Sequence, residues 1–90
     1  QTSDTYSLAF TNYGVAEVLV LQNKPLEAEI RLSSVFEEFN ASQDLLMLFN
    51  SHLLMAEIQT INKRYSLALE HLDLAEKQSK EFDTPNVYLY

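Results

Sequence analysis

The sequence predicts an all-α fold, and three observations carry the prediction. Only one Gly and two Pro occur among the 90 residues, which leaves few sites for tight turns. Hydrophobic residues make up 47% of the chain, enough for a folded core despite a net charge of −7. Small and apolar side chains also recur at the spacing of one helix face, as in Ala68, Leu72 and Ala75. We therefore expect helix nearly throughout.

The same helical pattern occurs twice, forty residues apart. Ala28, Leu32 and Val35 repeat the face just described, and the dipeptide Ala16-Glu17 recurs as Ala56-Glu57. A fixed period of this kind is typical of stacked helical hairpins, which bury their apolar faces against one another. The predicted architecture is an α-solenoid of antiparallel helical hairpins, with two repeats and the start of a third.

Caps and breaks set the expected helix boundaries. Pro25 suits the first turn of the second helix, with Asn23 or Lys24 as its cap. A capping box from Asn40 to Gln43 opens the third helix, and Asp44 adds charge favourable to its dipole. The predicted helices are Ser3 or Asp4 to Gln22, Pro25 to Phe39, Ser42 to Ile61, and Arg64 or Tyr65 to Glu81.

We expect one helical-repeat domain over residues 1–90. Repeat 1 covers about 3–40, repeat 2 about 41–81, and a third repeat starts at about 83–90. The first residue is Gln1 and the last residues follow a helix-start signal at Asp83-Thr84-Pro85, so we interpret the chain as a fragment of a larger protein. Gly14 costs the first helix about 1 kcal/mol against Ala, and close packing of another helix is its expected reason.

The chain resembles the tetratricopeptide repeat (TPR) family. Ala16 and Ala56 match the small residue of that family's first helix, and Tyr65 matches a frequent aromatic position. The triplets Ala28-Leu32-Val35 and Ala68-Leu72-Ala75 match its second helix. The period of forty is longer than the family's usual length of about 34. The resemblance implies a concave groove lined by the first helix of each repeat.

That groove is the candidate binding site. The residue after each small position tends to face the groove in the family, which places Glu17 and Glu57 there. The alternative is that both are solvated glutamates, and that the apolar groups beside them pack on neighbouring repeats. The residues placed in the groove by this register are Phe10, Tyr13, Glu17, Leu21, Asn50, Leu53, Glu57 and Ile61.

Composition disfavours several other functions. The chain has six Lys and Arg residues against thirteen Asp and Glu, so a nucleic-acid or anionic membrane partner is not expected. No apolar run approaches the length of about 18 residues that spans a bilayer. The absence of Cys excludes thiol chemistry and suits a reducing or an oxidising compartment; a cytoplasmic location is expected, with a periplasmic or other extracytoplasmic one left open.

Catalysis and metal binding are not expected either. The chain has no Gly-flanked Ser and no phosphate loop, and its His and Glu residues lack the Glu-x-x-His spacing of di-metal bundles. We read His52 and His71 as structural residues, with His71 on a solvated face. No cofactor or metal site is predicted.

The function that the resemblance implies is a scaffold that binds a protein or peptide. The alternative is a regulatory or sensory domain that controls an attached signalling or transcription output domain. We also expect self-association through exposed repeat ends, since each repeat buries its apolar face only against a neighbour.

Overall fold

The computed structural model describes residues 2–82, and nearly all of them are helical. The helices are α1 (Thr2–Leu21), α2 (Pro25–Ser33), α3 (Val35–Ala41), α4 (Leu45–Ile61) and α5 (Tyr65–Phe82). The all-α prediction is confirmed for this part of the chain. The expected start of a third repeat lies outside the described residues, and the division into repeats stays a prediction.

The predicted second helix is broken at Ser34, where α2 ends and α3 begins. The Ser34 hydroxyl donates to the carbonyl of Arg31 at 2.8 Å, and its backbone N–H points to the same oxygen at 3.3 Å. Serine competes in this way with the regular ladder of helical hydrogen bonds. In α5 the residue forty positions later is Leu74, and that helix is continuous, although the Ser79 hydroxyl donates to the carbonyl of Glu76 in the same way at 2.7 Å.

Three connections share one backbone geometry at intervals of twenty residues. Asn23, Gln43 and Lys63 have positive φ angles of 62°, 56° and 64°. A left-handed residue after the last helical turn, followed by a bond back to the third-last carbonyl, is the Schellman motif. The residue after each left-handed one makes that bond: Lys24 to Leu19 at 2.8 Å, Asp44 to Phe39 at 2.9 Å, and Arg64 to Gln59 at 2.8 Å.

The start of α4 differs from the predicted capping box. Asp44 is the N-cap, and its carboxylate accepts from the backbone N–H of Met47 at 3.1 Å. Asn40 instead lies in the preceding helix α3, and Gln43 occupies the left-handed turn position. The carboxylate of Asp44 also accepts the hydroxyl of Tyr6, which ties α1 to the start of α4.

Paired helices run in opposite directions. Beside the first turn, Leu19 and Glu27 line the same cleft, whereas farther from it the Asn12 side chain bonds Arg31. On either side of the 62–64 turn, His52 of α4 contacts His71 of α5. This order follows from connections of three residues, which force neighbouring helices to lie antiparallel.

The small residues that defined the forty-residue pattern are buried. Ala16, Ala28, Ala56 and Ala68 are all at most 5% exposed. Small side chains let helix backbones approach closely, so their burial marks the helix crossings. The hydrophobic core cluster comes from α1 to α4, contains Ala16 and Ala28, and includes Leu32, Val35, Phe39, Leu48, Met55 and Ile58.

Two expectations about packing were wrong. A Cβ built on Gly14 meets no neighbouring element within 4 Å, so none of the described helices packs closely there. Leu72 has the same register as the fully buried Leu32 but is 45% exposed. The reason is that α4 covers the face of α2 and α3, whereas in the described chain α5 packs along α4 alone, apart from the contact of Phe36 with His71.

Candidate functional site

Two glutamates and a tyrosine meet on the surface formed by α1 and α4. Glu17 and Glu57 are both exposed, and Tyr13 is half-buried. Burial raises the pKa of the Tyr13 phenol, and the charge and hydrogen bond of Glu17 and the charge of Glu57 raise it further. The two carboxylates therefore act on one phenol from neighbouring helices. We call Tyr13, Glu17 and Glu57 the acidic surface.

Four predicted groove residues are exposed apolar side chains. Leu21, at the end of α1, is the most exposed at 86%, and Ile61 holds the same position at the end of α4. Leu53 and Phe10 are also exposed. The ring of Phe10 nevertheless packs edge-on against Phe39, with centroids 5.5 Å apart, so part of it belongs to the core.

The remaining predicted residue, Asn50, is half-buried on α4 and its amide lies 4.0 Å from the sulfur of Met47. The structure thus brings Tyr13, Glu17 and Glu57 together and leaves Leu21, Leu53 and Ile61 accessible. Whether these residues bind a ligand stays a prediction.

A second cluster, which the sequence analysis did not find, joins the histidines. The Nδ1 atoms of His52 and His71 are 3.0 Å apart. The ring of Phe36 lies over both, with centroid distances of 4.7 Å to His52 and 6.0 Å to His71. The placement of His71 on a solvated face was wrong, because that side of α5 turns toward α4.

The histidine pair is held in its neutral form. Burial, and to a smaller extent the nearby His71, lower the pKa of His52 to about 4. Burial also lowers the pKa of His71, against the opposing charges of Glu70 and Glu29. A hydrogen bond between two imidazole nitrogens needs one donor and one acceptor, so at least one ring must stay uncharged.

The sequence carried a signal for this pair. Residues 52 and 71 flank the 62–64 turn, nearly three helical turns before it and about two helical turns after it. In the first hairpin the same positions are Asn12 and Arg31, whose side chains are bonded at 3.0 Å. Both hairpins therefore carry a polar pair at equivalent positions. Comparing the two positions as a pair, at the forty-residue offset, would have predicted that His52 faces His71.

A polar joint connects the two hairpins. Glu29 on α2 accepts from the amide of Gln59 at 2.9 Å and from the guanidinium of Arg64 at 2.9 Å. Gln59 is buried, and its amide nitrogen also lies 3.5 Å from the sulfur of Met55. Pairing keeps the buried amide satisfied, which fixes how α4 lies on α2.

A small cleft opens beside the histidine cluster. Its volume is about 320 Å³, and its lining is Phe36, Glu37, Asn40, Leu48, His52 and Gln78. Among residues 2–82 no three His, Cys, Asp or Glu side chains are grouped so as to hold a metal ion. Independently of this, the geometry of His52 and His71 is that of a hydrogen-bonded pair within the fold.

No family model, curated protein or solved structure matches this chain. Within the described helices, none combines the length and apolar character needed to cross a membrane. The functional interpretation therefore depends on the surface chemistry described above.

Proposed function

We propose that this chain is a protein- or peptide-binding scaffold made of TPR-like hairpins, with its ligand on the surface of α1 and α4. The observation that carries the proposal is the acidic surface. Glu17 and Glu57, related by forty residues, both act on Tyr13. Two carboxylates at repeated positions on adjacent helices form a regular row of acceptors for a cationic ligand.

Internal similarity between the hairpins supports the repeat architecture. The 22–24 and 62–64 turns use the same hydrogen bonds, and Ala16 and Ala28 are buried like their counterparts Ala56 and Ala68. Stacked repeats place equivalent residues of successive first helices side by side. The row of Glu17 and Glu57 is then a consequence of the array.

The mixture of charge and apolar surface indicates the class of ligand. Leu53 and Ile61 are exposed on α4, on the helix that carries Glu57, and Leu21 is exposed on α1 beyond Glu17. An amphipathic helix binds such a surface with its apolar face, while flanking Lys or Arg residues pair with carboxylates. We infer a basic amphipathic helical segment as the ligand.

The test is binding of a designed amphipathic peptide with leucines on one face and lysines on both flanks, followed by fluorescence anisotropy. We expect the double variant Glu17→Gln, Glu57→Gln to weaken binding by about tenfold or more, because two charge pairs are lost. A peptide with the lysines replaced by glutamates should not bind.

The matched control is Glu76→Gln, Glu81→Gln, which removes the same charge from exposed positions on α5. It should change the affinity less than about twofold, since surface charges far from a ligand are screened. Equal weakening by both double variants would mean that the peptide responds only to the net charge of −7, and would refute the site.

A further inference from the structure

The inner joint between the hairpins provides a template for a second interface. Within the chain, α4 lies on α2 and α3, and its side chains Leu48, Met55 and Ile58 share one core with Leu32 and Val35. All five are at most 4% exposed. This joint therefore shows which positions of a first helix cover which positions of a second helix.

Three of the five counterpart positions at the two ends of the described chain are exposed, whereas Val15 is half-buried and Ala75 is 1% exposed. Forty residues before Leu48 and Ile58 lie Leu8 and Val18, which are 58% and 49% exposed on α1. Forty residues after Leu32 lies Leu72 on α5, which is 45% exposed. The exposed face of α1 thus carries apolar residues at the positions that α4 uses in the inner joint. The exposed face of α5 carries Leu72 at the position that Leu32 holds on α2.

Two positions that are polar in the inner joint are both apolar on the exposed faces of α1 and α5, and this paired change favours binding of these two faces to each other. In the inner joint the polar contact is Glu29 with Gln59. The counterparts of these two residues are Leu69 on α5 and Leu19 on α1, and Leu69 is 63% exposed. These two positions change from polar to apolar together and so remain complementary to each other. Leu19 is half-buried against its own core, and Arg64, the second partner of Glu29, corresponds to the charged Lys24.

We propose that α1 of a second copy of this chain binds the exposed face of α5 in the way that α4 binds α2 and α3. The interface joins Leu8, Val18 and Leu19 of one copy to Leu69 and Leu72 of the other. It is heterologous, because different surfaces meet, so it leaves one open face at each end and permits chains longer than a dimer.

Charge opposes this association. Each copy has a net charge of −7, and two copies repel each other over a distance of about one Debye length, ~10 Å at 0.1 M salt. Added salt shortens that length and strengthens apolar contacts, so association should increase with ionic strength.

The experiment measures mass by sedimentation and light scattering from micromolar to millimolar protein. The wild-type chain should exceed the monomer mass at high concentration and continue past the dimer. Two variants each block one face: Leu8→Glu, Val18→Glu on α1, and Leu69→Glu, Leu72→Glu on α5. Each alone should stay monomeric, with at least a tenfold weaker association constant, because the interface would bury unpaired carboxylates.

Mixing the two variants is the decisive step. The first retains its α5 face and the second its α1 face, so an equimolar mixture should form a one-to-one heterodimer and nothing larger. A symmetric interface made of one patch on both copies would not be restored in this way. A monomeric mixture, or a wild-type chain that stays monomeric at high salt, would overturn the proposal.

The control variant is Leu26→Glu, Ile30→Glu on α2. Both residues are exposed, and so are Ser66 and Glu70 forty residues later, so this face packs on neither neighbour. It adds the same charge and should leave association unchanged, with helix content of all variants checked by circular dichroism. The proposal rests on the hairpin correspondence of the proposed function but uses none of the acidic surface. Peptide binding and self-association can therefore fail separately.

Discussion

His52 and His71 face each other across the second hairpin with their Nδ1 atoms 3.0 Å apart, where the first hairpin has Asn12 and Arg31. The first pair joins an amide to a guanidinium that is always charged. The second joins two imidazoles that must stay at least partly neutral. The two hairpins thus bridge their helices at the same place, but only the bridge of the second hairpin contains groups that titrate near neutral pH.

We predict that the free energy of unfolding falls as the pH drops from about 6.5 to about 4. The unfolded chain takes up a proton on His52 near the ordinary pKa of 6.5, whereas the folded chain does so only near 4. The unfolded state therefore binds more protons in this window, and stability decreases toward lower pH. The loss should be about 1–2 kcal/mol after allowance for solvent screening, measured by urea unfolding.

Carboxylates also titrate toward the acid end of this window, so the control replaces the pair itself. The variant His52→Asn, His71→Arg copies the Asn12 and Arg31 bridge into the second hairpin and should stay folded. Its stability should change less than that of the wild type between about pH 6.5 and pH 5. Equal pH dependence would show that the histidines do not carry the effect.

The regular part of the fold could be predicted because it depends on local chemistry. Pro25 restricts the backbone and was predicted to start the second helix, which the structure confirms. Ala16 and Ala56 are small enough for a helix crossing, and the structure confirms that both are buried. The break at Ser34 and the facing of His71 depend on tertiary context. Ser79 makes the same local bond as Ser34 within the continuous helix α5, so the hydroxyl alone does not decide the break. The rotation of α5 about its axis decides which way His71 faces.

The candidate site was less predictable than the helices. The shared register placed Glu17 and Glu57 in equivalent positions, and their common effect on Tyr13 agrees with that placement. Register does not say what covers a helix face, which is why Leu72 was expected to resemble Leu32. The exposure of a side chain depends on which helix packs over it, and the sequence of one helix does not specify that neighbour.

Asp44 should be the most sensitive polar residue at the joint of α1 and α4. We expect Asp44→Ala to lower the free energy of unfolding by about 1 kcal/mol or more, because the N-cap of α4 is lost together with the acceptor for Tyr6. Asp44→Ser keeps a capping oxygen and should cost less. Chemical denaturation of the three proteins measures the difference.

The control for Asp44 is Asp73→Ala, which removes an exposed carboxylate from α5. Its effect should stay within about 0.5 kcal/mol, as is usual for surface positions. If Asp44→Ala were equally mild, the cap and the Tyr6 contact would contribute nothing measurable.

The left-handed turn residues should respond in a graded way to glycine. Gln43 and Lys63 have side chains that disfavour positive φ, so Gln43→Gly and Lys63→Gly should each stabilise the fold by about 0.5–1 kcal/mol. Asn tolerates this conformation, so Asn23→Gly should gain less. Thermal unfolding gives the ranking.

Gln22→Gly is the matched comparison for the turns, because Gln22 lies beside Asn23 but its φ is not positive. Glycine there only adds freedom to the unfolded chain, so it should destabilise. If Gln22→Gly stabilised the fold as much as Lys63→Gly, the gain at Lys63 could not be attributed to its positive φ.

Gly14 is the clearest position for improving stability within a helix. Nothing lies within 4 Å of a Cβ added there, so Gly14→Ala should raise the free energy of unfolding by about 1 kcal/mol through helix propensity alone. Gly14→Ser should gain about half as much, since serine is a weaker helix former. Urea unfolding of dilute protein measures both. If Ala destabilised the fold and Ser did so further, a close neighbour would have to pack on Gly14 in solution, because only a steric limit penalises side chains in order of size.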